Sequence, residues 1–276
     1  METLKYFKIH IKYEGTNYLG WQIQPQSPTI QEMIESVLFK LTGNKTRITG
    51  AGRTDSAVHA LGQVAHFKIV TRLDEKALLK GLNGLLPDDI GITSISQCSP
   101  EFHSRYDATG KYYLYTVQQG PTPLILTKNF CHHIRSPLSI EKMSDASRHL
   151  LGTHNFMNFC AKSGRENEIF DRTILDIRID HRPPFIFFHF LGKSFLYKMV
   201  RFMTGTLIKV GTGKIQPDTI SKIFTEPEKY ARLSGPVAPA KGLTLAKVFY
   251  EENPQLPDND KICNFFDLSC VLNNRI

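Results

Sequence analysis

Gly50-Ala51-Gly52-Arg53-Thr54-Asp55-Ser56-Ala57-Val58-His59-Ala60 runs into Gln63-Val64-Ala65-His66-Phe67-Lys68-Ile69. The first part is rich in glycine and short polar residues and reads as a tight loop. The second alternates and reads as a half-buried strand. A helix precedes both. Thr29-Ile30-Gln31-Glu32 forms a capping box, Ile30, Met33, Ile34, Val37, Leu38 and Leu41 recur at helical spacing, and Gly43 stops the helix. Arg53 stands two residues before Asp55, so a carboxylate and a cation share a glycine-bracketed loop. The cation keeps the carboxylate ionised and the glycines leave the backbone open to another chain. Asp55 therefore reads as a nucleophile or general base. The same spacing also fits a solvated ion pair of little energetic weight.

Outward from this stretch, residues 6–13 alternate as a strand, and residues 15–28 are turn-forming and carry the single tryptophan, Trp21. Asp74 caps a helix through Leu78, Leu79, Leu82 and Leu85, stopped by Pro87. Residues 90–95, 102–108 and 111–118 read as strands, and Ser139 opens a helix ending near Gly152. Residues 173–180 and 186–191 are strands joined through Arg182-Pro183-Pro184. Residues 195–210 are helical, with Leu196, Met199, Val200, Met203 and Leu207 on one face. Pro217 begins a short helix, and residues 243–249 form a last strand. Strands in succession with interspersed helices predict an α+β fold with antiparallel sheets. The segment from Pro254, including Cys263-Asn264-Phe265-Phe266-Asp267-Leu268, reads equally as a docked or a frayed tail.

With 276 residues, 41% of them hydrophobic, the chain has enough core for one large domain or two lobes. Its formal net charge of +8 favours a polyanionic partner, nucleic acid ahead of membrane. No apolar run is long enough to span a bilayer, and Lys5-Tyr6-Phe7-Lys8 gives no signal peptide, so the cytoplasm is expected. The five cysteines, Cys98, Cys131, Cys160, Cys263 and Cys270, are scattered, without a Cys-x-x-Cys pair. Free thiols and no metal are expected, since Cys131-His132-His133 has no second ligand pair to complete a tetrahedron.

Three further segments carry chemistry-bearing residues. Lys111, Tyr113 and Tyr115 share one strand face. Aromatic rings there suit either cross-strand packing or an unstacked base. Lys198 and Arg201 lie three apart in the long helix, and Arg201 sits between Val200 and Met203, where a charge either snorkels to solvent or reaches a partner. Lys241-Gly242-Leu243-Thr244-Leu245 reads on its own only as a half-buried strand.

Taken together these segments resemble the tRNA pseudouridine synthase A (TruA) family. The resemblance rests on Gly52-Arg53-Thr54-Asp55 with Val58-His59-Ala60, on Lys111-x-Tyr113-x-Tyr115, on Phe195-Leu196-Tyr197-Lys198-Met199-Val200-Arg201 and on Gly242-Leu243-x-Leu245, and it spans nearly the whole chain. It implies that Asp55 is the catalytic nucleophile, positioned by Arg53 and paired with Arg201. It implies that Tyr113 stacks on the target uridine and that Leu245 packs on its other side. The family usually has Ala-Gly where this chain has Ser56-Ala57, so Ala57 is strained wherever that glycine needs positive φ.

The implied fold is two pseudo-symmetric lobes, residues 1–108 and 109–250, followed by a tail at 251–276. Their antiparallel sheets are joined across a central cleft, with helices on the outer faces. The implied activity is conversion of uridine to pseudouridine in the tRNA anticodon arm, at positions 38, 39 and 40, by a homodimer with no cofactor and no metal. A non-catalytic tRNA-binding module and a pseudouridine synthase acting on other RNA uridines are the alternatives. An Asp-dependent hydrolase lacks both a second carboxylate near Asp55 and a glycine-rich phosphate loop. Lys5, Lys12, Arg47, Lys162, Arg165, Lys209 and Lys214 are the expected phosphate contacts.

Overall fold

The computed structural model describes residues 2–25, 27–162 and 169–257. Its elements in chain order are β1 (Thr3–Tyr13), α1 (Ile30–Thr42), β2 (Thr49–Gly50), β3 (His59–Thr71), α2 (Glu75–Leu85), β4 (Ile90–Gln97), β5 (Gly110–Gln119), β6 (His132–Ile134), α3 (Ile140–Arg148), β7 (Gly152–Asn155), β8 (Asp171–Arg182), β9 (Phe185–Gly192), α4 (Met199–Gly211), α5 (Thr219–Thr225), α6 (Pro227–Tyr230) and β10 (Leu243–Phe249).

The strands make one continuous mixed sheet in the order β4-β1-β3-β10-β5-β9-β8-β7, with β2 against β3 and β6 against β5. Most pairings are antiparallel. The join between the amino- and carboxyl-terminal strands is parallel and short: Thr244 pairs with His59 and Leu245 with Ala60. On its other edge β10 pairs antiparallel with β5, setting Leu245 opposite Tyr113 and Leu243 opposite Tyr115. The last strand among the described residues therefore welds the two halves together.

The alternation of each strand divides the core. Phe7, Ile9, Ile11, Phe67, Tyr113, Tyr115, Phe188, Phe190 and Leu245 bury one face together with Ile34 and Leu38 of α1, Leu82 of α2, Met143 of α3 and Met203 and Leu207 of α4. On the opposite face Tyr112, Leu114, Phe185, Phe187, Ala246 and Phe249 form a separate cluster with Cys131. The four longer helices thus pack on one face of the sheet.

Local signals account for the helix ends. Thr29 Oγ1 accepts from the Glu32 amide, Asp74 accepts from Ala77, Ser139 accepts from Lys142, and Gly43 closes α1 at φ 72°. Two expectations fail. Residues 102–108 form turns, not a strand, because local side chains capture the backbone amides a ladder would use. His103 Nδ1 accepts from the Arg105 and Tyr106 amides, and His66 Nδ1 accepts from Ser104. And α4 begins at Met199 rather than at 195. Lys198 is left-handed at φ 59°, which cannot continue into a helix, and Phe195 instead turns its ring edge-on to Tyr113.

Candidate functional site

The 50–58 loop is held from four directions. The Ala51 amide donates to the Val64 carbonyl and Gln63 Nε2 donates to the Gly52 carbonyl, tying it to β3. Tyr13 Oη, at the end of β1, hydrogen-bonds Thr54 Oγ1 at 2.9 Å. The Trp21 amide donates to the Thr54 carbonyl, and the Ala57 amide donates to the Tyr18 carbonyl. Close approach of the 15–28 segment requires glycine: a Cβ on Gly20, itself at φ +86°, would lie 2.3 Å from the Thr54 carbonyl oxygen. His59 Nδ1 accepts from the Gly15 amide, so its Nε2 carries the proton given to the Asn129 and Lys241 carbonyls. Ala57 takes φ 60°, the left-handed conformation that glycine adopts without strain.

This scaffold presents Asp55 to Arg201, which arrives from α4, 146 residues away in sequence. Arg201 donates through an Nη1 proton to Asp55 Oδ2 at 2.8 Å and through Nε to the Ala238 carbonyl at 2.7 Å. The two side chains are only 13% and 17% exposed, so the pair is largely desolvated. The guanidinium is fixed by two acceptors through two different nitrogens, an arrangement a lysine cannot reproduce. Asp55 Oδ1 makes no hydrogen bond to a described residue.

Tyr113 stands in the same site. Its hydroxyl would lie 3.9 Å from a Cβ added to Gly52, and its ring meets Phe195 with centroids 5.1 Å apart and planes at 84°. Burial first, then Tyr13 and Asp55 nearby, pushes its pKa well above the ordinary phenol range, so the hydroxyl stays protonated and can donate. Leu245 is fully buried and is the register partner of Tyr113, so the two side chains stand next to each other on one face of the sheet. Lys111 completes the group: its Cε would lie 3.5 Å from a Cβ added to Gly52.

Asp55, Arg201, Tyr113 and Leu245 thus come together. Arg53 is exposed, and the salt bridge to Asp55 is made by Arg201. Tyr13, Trp21, Phe195 and the Ala238 carbonyl were not legible as parts of the site; the clustering of Gly15, Gly20 and Trp21 ahead of α1 was the one local signal of close packing there. Among the expected phosphate contacts, Lys5 donates to the Leu73 carbonyl and Lys209 to the Leu233 and Ser234 carbonyls. Arg47, Lys162 and Lys214 are exposed, and Arg165 lies outside the described residues, as do Cys263 and Cys270. No helix among the described residues is long and apolar enough to cross a membrane.

Residues 9–107 and 146–251 match the model of a family described as tRNA pseudouridine synthase. The chain is 38% identical over 245 residues to tRNA pseudouridine synthase A of Moorella thermoacetica, covering 88% of this chain and 98% of that protein. It is 41% identical over 243 residues to the protein of the same name from Acetivibrio thermocellus, with coverage of 88% and 98%. To that of a Geobacillus species it is 39% identical over 249 residues, with coverage of 90% and 99%.

Proposed function

Because the chain belongs to the tRNA pseudouridine synthase family, we propose that it isomerises uridine to pseudouridine in tRNA with Asp55 as the catalytic group. The observation that carries the assignment of Asp55 is its ion pair with Arg201. Two charges brought together across 146 residues of sequence and largely desolvated are expensive to bury, and such a pair is more readily explained by chemistry than by stability.

The reaction breaks the N1–C1′ bond, turns the uracil and forms a C5–C1′ bond, while the C5 proton is lost and N1 gains one. Atoms balance without an external reactant. A carboxylate has three routes into it: attack on C1′, addition to the uracil ring, and removal of a ribose proton. All three start from the ionised form. Arg201 holds the carboxylate by Oδ2 and leaves Oδ1 for the nucleotide. The target base must leave its stack to reach this loop. Tyr113 offers an aromatic face to it and a protonated hydroxyl for the proton transfers of the later steps, with Leu245 supporting the base pocket beside it. Arg53, two residues before Asp55 on the same loop, is the second cation proposed to position it.

We also propose that the modified uridines lie in the anticodon arm, that two copies of the chain engage one tRNA, and that the work is done in the cytoplasm. The net charge of +8 supports a polyanionic substrate. A division into lobes at residues 1–108 and 109–250 around a cleft is supported by the short parallel join at His59 and Ala60. The test is to incubate unmodified tRNA transcripts with the protein and map pseudouridine at nucleotide resolution. Product in the anticodon arm with wild type and none with Asp55→Asn is expected. Product with Asp55→Asn at the wild-type rate would remove Asp55 from the chemistry.

A further inference from the structure

The turn at residues 102–107 is the least expected local structure in the chain, and it is rigidly built. Ser104 is fully buried, and its hydroxyl donates to the Thr49 carbonyl of β2, one residue before the glycine that opens the catalytic loop. The Ser104 amide donates to His66 Nδ1, and Tyr250 Oη donates to the Ser104 carbonyl. His103 is fixed as well: its amide donates to Asp107 Oδ2, and its Nδ1 accepts from two backbone amides, which leaves the ring's proton on Nε2.

What this frame holds out is an exposed aromatic ring and a cation. Tyr106 is 76% exposed, lies against the His103 ring with centroids 4.2 Å apart, and has the Arg105 guanidinium 5.9 Å from its own ring. Those contacts hold the ring in one orientation on a hydrogen-bonded turn while leaving most of it open, so a base that stacks on it meets a face already ordered. Arg105 is exposed beside it, and close enough to Lys111 for their charges to repel. Lys111 is half-buried against Gly52 of the catalytic loop, and neither cation has a salt bridge among the described residues. Burial first, then Arg105, pushes the Lys111 ammonium down to about 8. Two cations that lie close together beside the catalytic loop, with no carboxylate paired to either among the described residues, suit a phosphate.

We propose that this is a second nucleotide site: Tyr106 stacks an unpaired base neighbouring the isomerised uridine, while Arg105 and Lys111 hold the phosphate that links the two. The proposal rests on the reading that the protein works on tRNA. Tyr106 anchors the strand on one side of the reacting nucleotide, so that flipping the uridine does not also release its neighbour. The turn and the phosphate clamp then set the distance between the held base and Asp55.

The experiment measures the Kd of an unmodified tRNA transcript across a potassium chloride series, with wild type and variants. Tyr106→Ala and Tyr106→Leu are expected to raise Kd on the order of ten-fold, and Tyr106→Phe to stay within about two-fold, since the face and not the hydroxyl is used. Arg105→Gln and Lys111→Met are each expected to lower the slope of log Kd against log salt by about 0.7. An unchanged Kd for Tyr106→Ala overturns the stacking site, and unchanged slopes in both cation variants overturn the clamp. An unchanged Kd together with a lower sedimentation mass for Tyr106→Ala would make the ring a contact between subunits, which also overturns it. Pseudouridine formation by wild type is scored separately. Intact binding without product would defeat the proposed activity, while the Kd series would still decide the site.

Discussion

Replacing Arg201 by methionine keeps the apolar stem packed and removes two donors. One is the charge-assisted hydrogen bond to Asp55 at 2.8 Å, the other the bond to the Ala238 carbonyl at 2.7 Å. Removing one partner from a fully buried ion pair costs about 3–5 kcal/mol, because the surviving charge stays buried. Here Asp55 keeps 17% of its side-chain surface in contact with solvent. Water therefore recovers part of that penalty, and a loss of about 2–3 kcal/mol is expected. For a chain of this size that lowers the melting temperature by about 4–12 °C.

Activity should fall further than stability. Once the guanidinium no longer aims the carboxylate, the single-turnover rate is expected to drop on the order of 100-fold. Release of tritium from C5 of uridine in tRNA reads this directly, because C5 exchanges its hydrogen for the bond to C1′. Arg201→Lys should be almost as damaging, since it keeps the charge without the fork. The decisive measurement is a double-mutant cycle with Asp55→Asn. Coupling of roughly 1–3 kcal/mol in stability is expected for residues in contact. Additivity within about 0.5 kcal/mol, together with near-normal tritium release from Arg201→Met, would refute the reasoning.

Tyr113→Phe should keep tRNA affinity and lose turnover, whereas Tyr113→Ala should lose both; equal single-turnover rates for all three side chains would take Tyr113 out of the site. Ala57→Gly should raise stability by about 0.5–1 kcal/mol, because relief of the left-handed strain outweighs the greater entropy of the unfolded glycine chain. Chemical denaturation checks the sign, and a destabilised variant would mean that the loop carries no strain at Ala57. Lys111 titrates near 8 in the folded protein and at its ordinary, higher value in the unfolded chain. The unfolded state then binds more protons between those two values, so wild-type stability should rise relative to Lys111→Met as pH increases from about 8 to about 10.4. A difference between the two proteins that is constant over that range would contradict the burial of this ammonium.

Much of the architecture was legible from local pattern. The α1 stripe with Thr29 before it and Gly43 after it, the alternation of β5, and the apolar face of α4 each state their burial in the spacing of residues. The failures have a common cause, which is competition from side chains. Residues 102–108 have the composition of a strand, but His103, His66 and Asp107 take the amides that pairing needs. The start of α4 is displaced because Phe195 is engaged by Tyr113. For the site, Asp55 announces itself by the glycines around it, whereas the partner of Arg201 lies 146 residues away and no periodicity encodes it. Resemblance to a family supplied that pairing. It did not supply the support from Tyr13, Trp21 and the Ala238 carbonyl, which exists only in three dimensions.

The position of β10 has a consequence for how the protein is made. On the ribosome β3 and the loop bearing Asp55 emerge early, while β10, the strand that pairs with His59 and Ala60, is synthesised much later. At roughly 5–20 residues per second, that edge of the nascent sheet waits on the order of ten seconds or longer for its neighbour. Through that interval the growing chain displays unpaired amides and carbonyls to every other nascent chain nearby, the condition under which strands pair wrongly. Chaperone demand should therefore concentrate between the synthesis of β3 and that of β10. A polypeptide that terminates before residue 243 lacks the weld between the two halves of the sheet, so incomplete translation products should accumulate as inactive fragments rather than as poorly selective enzymes.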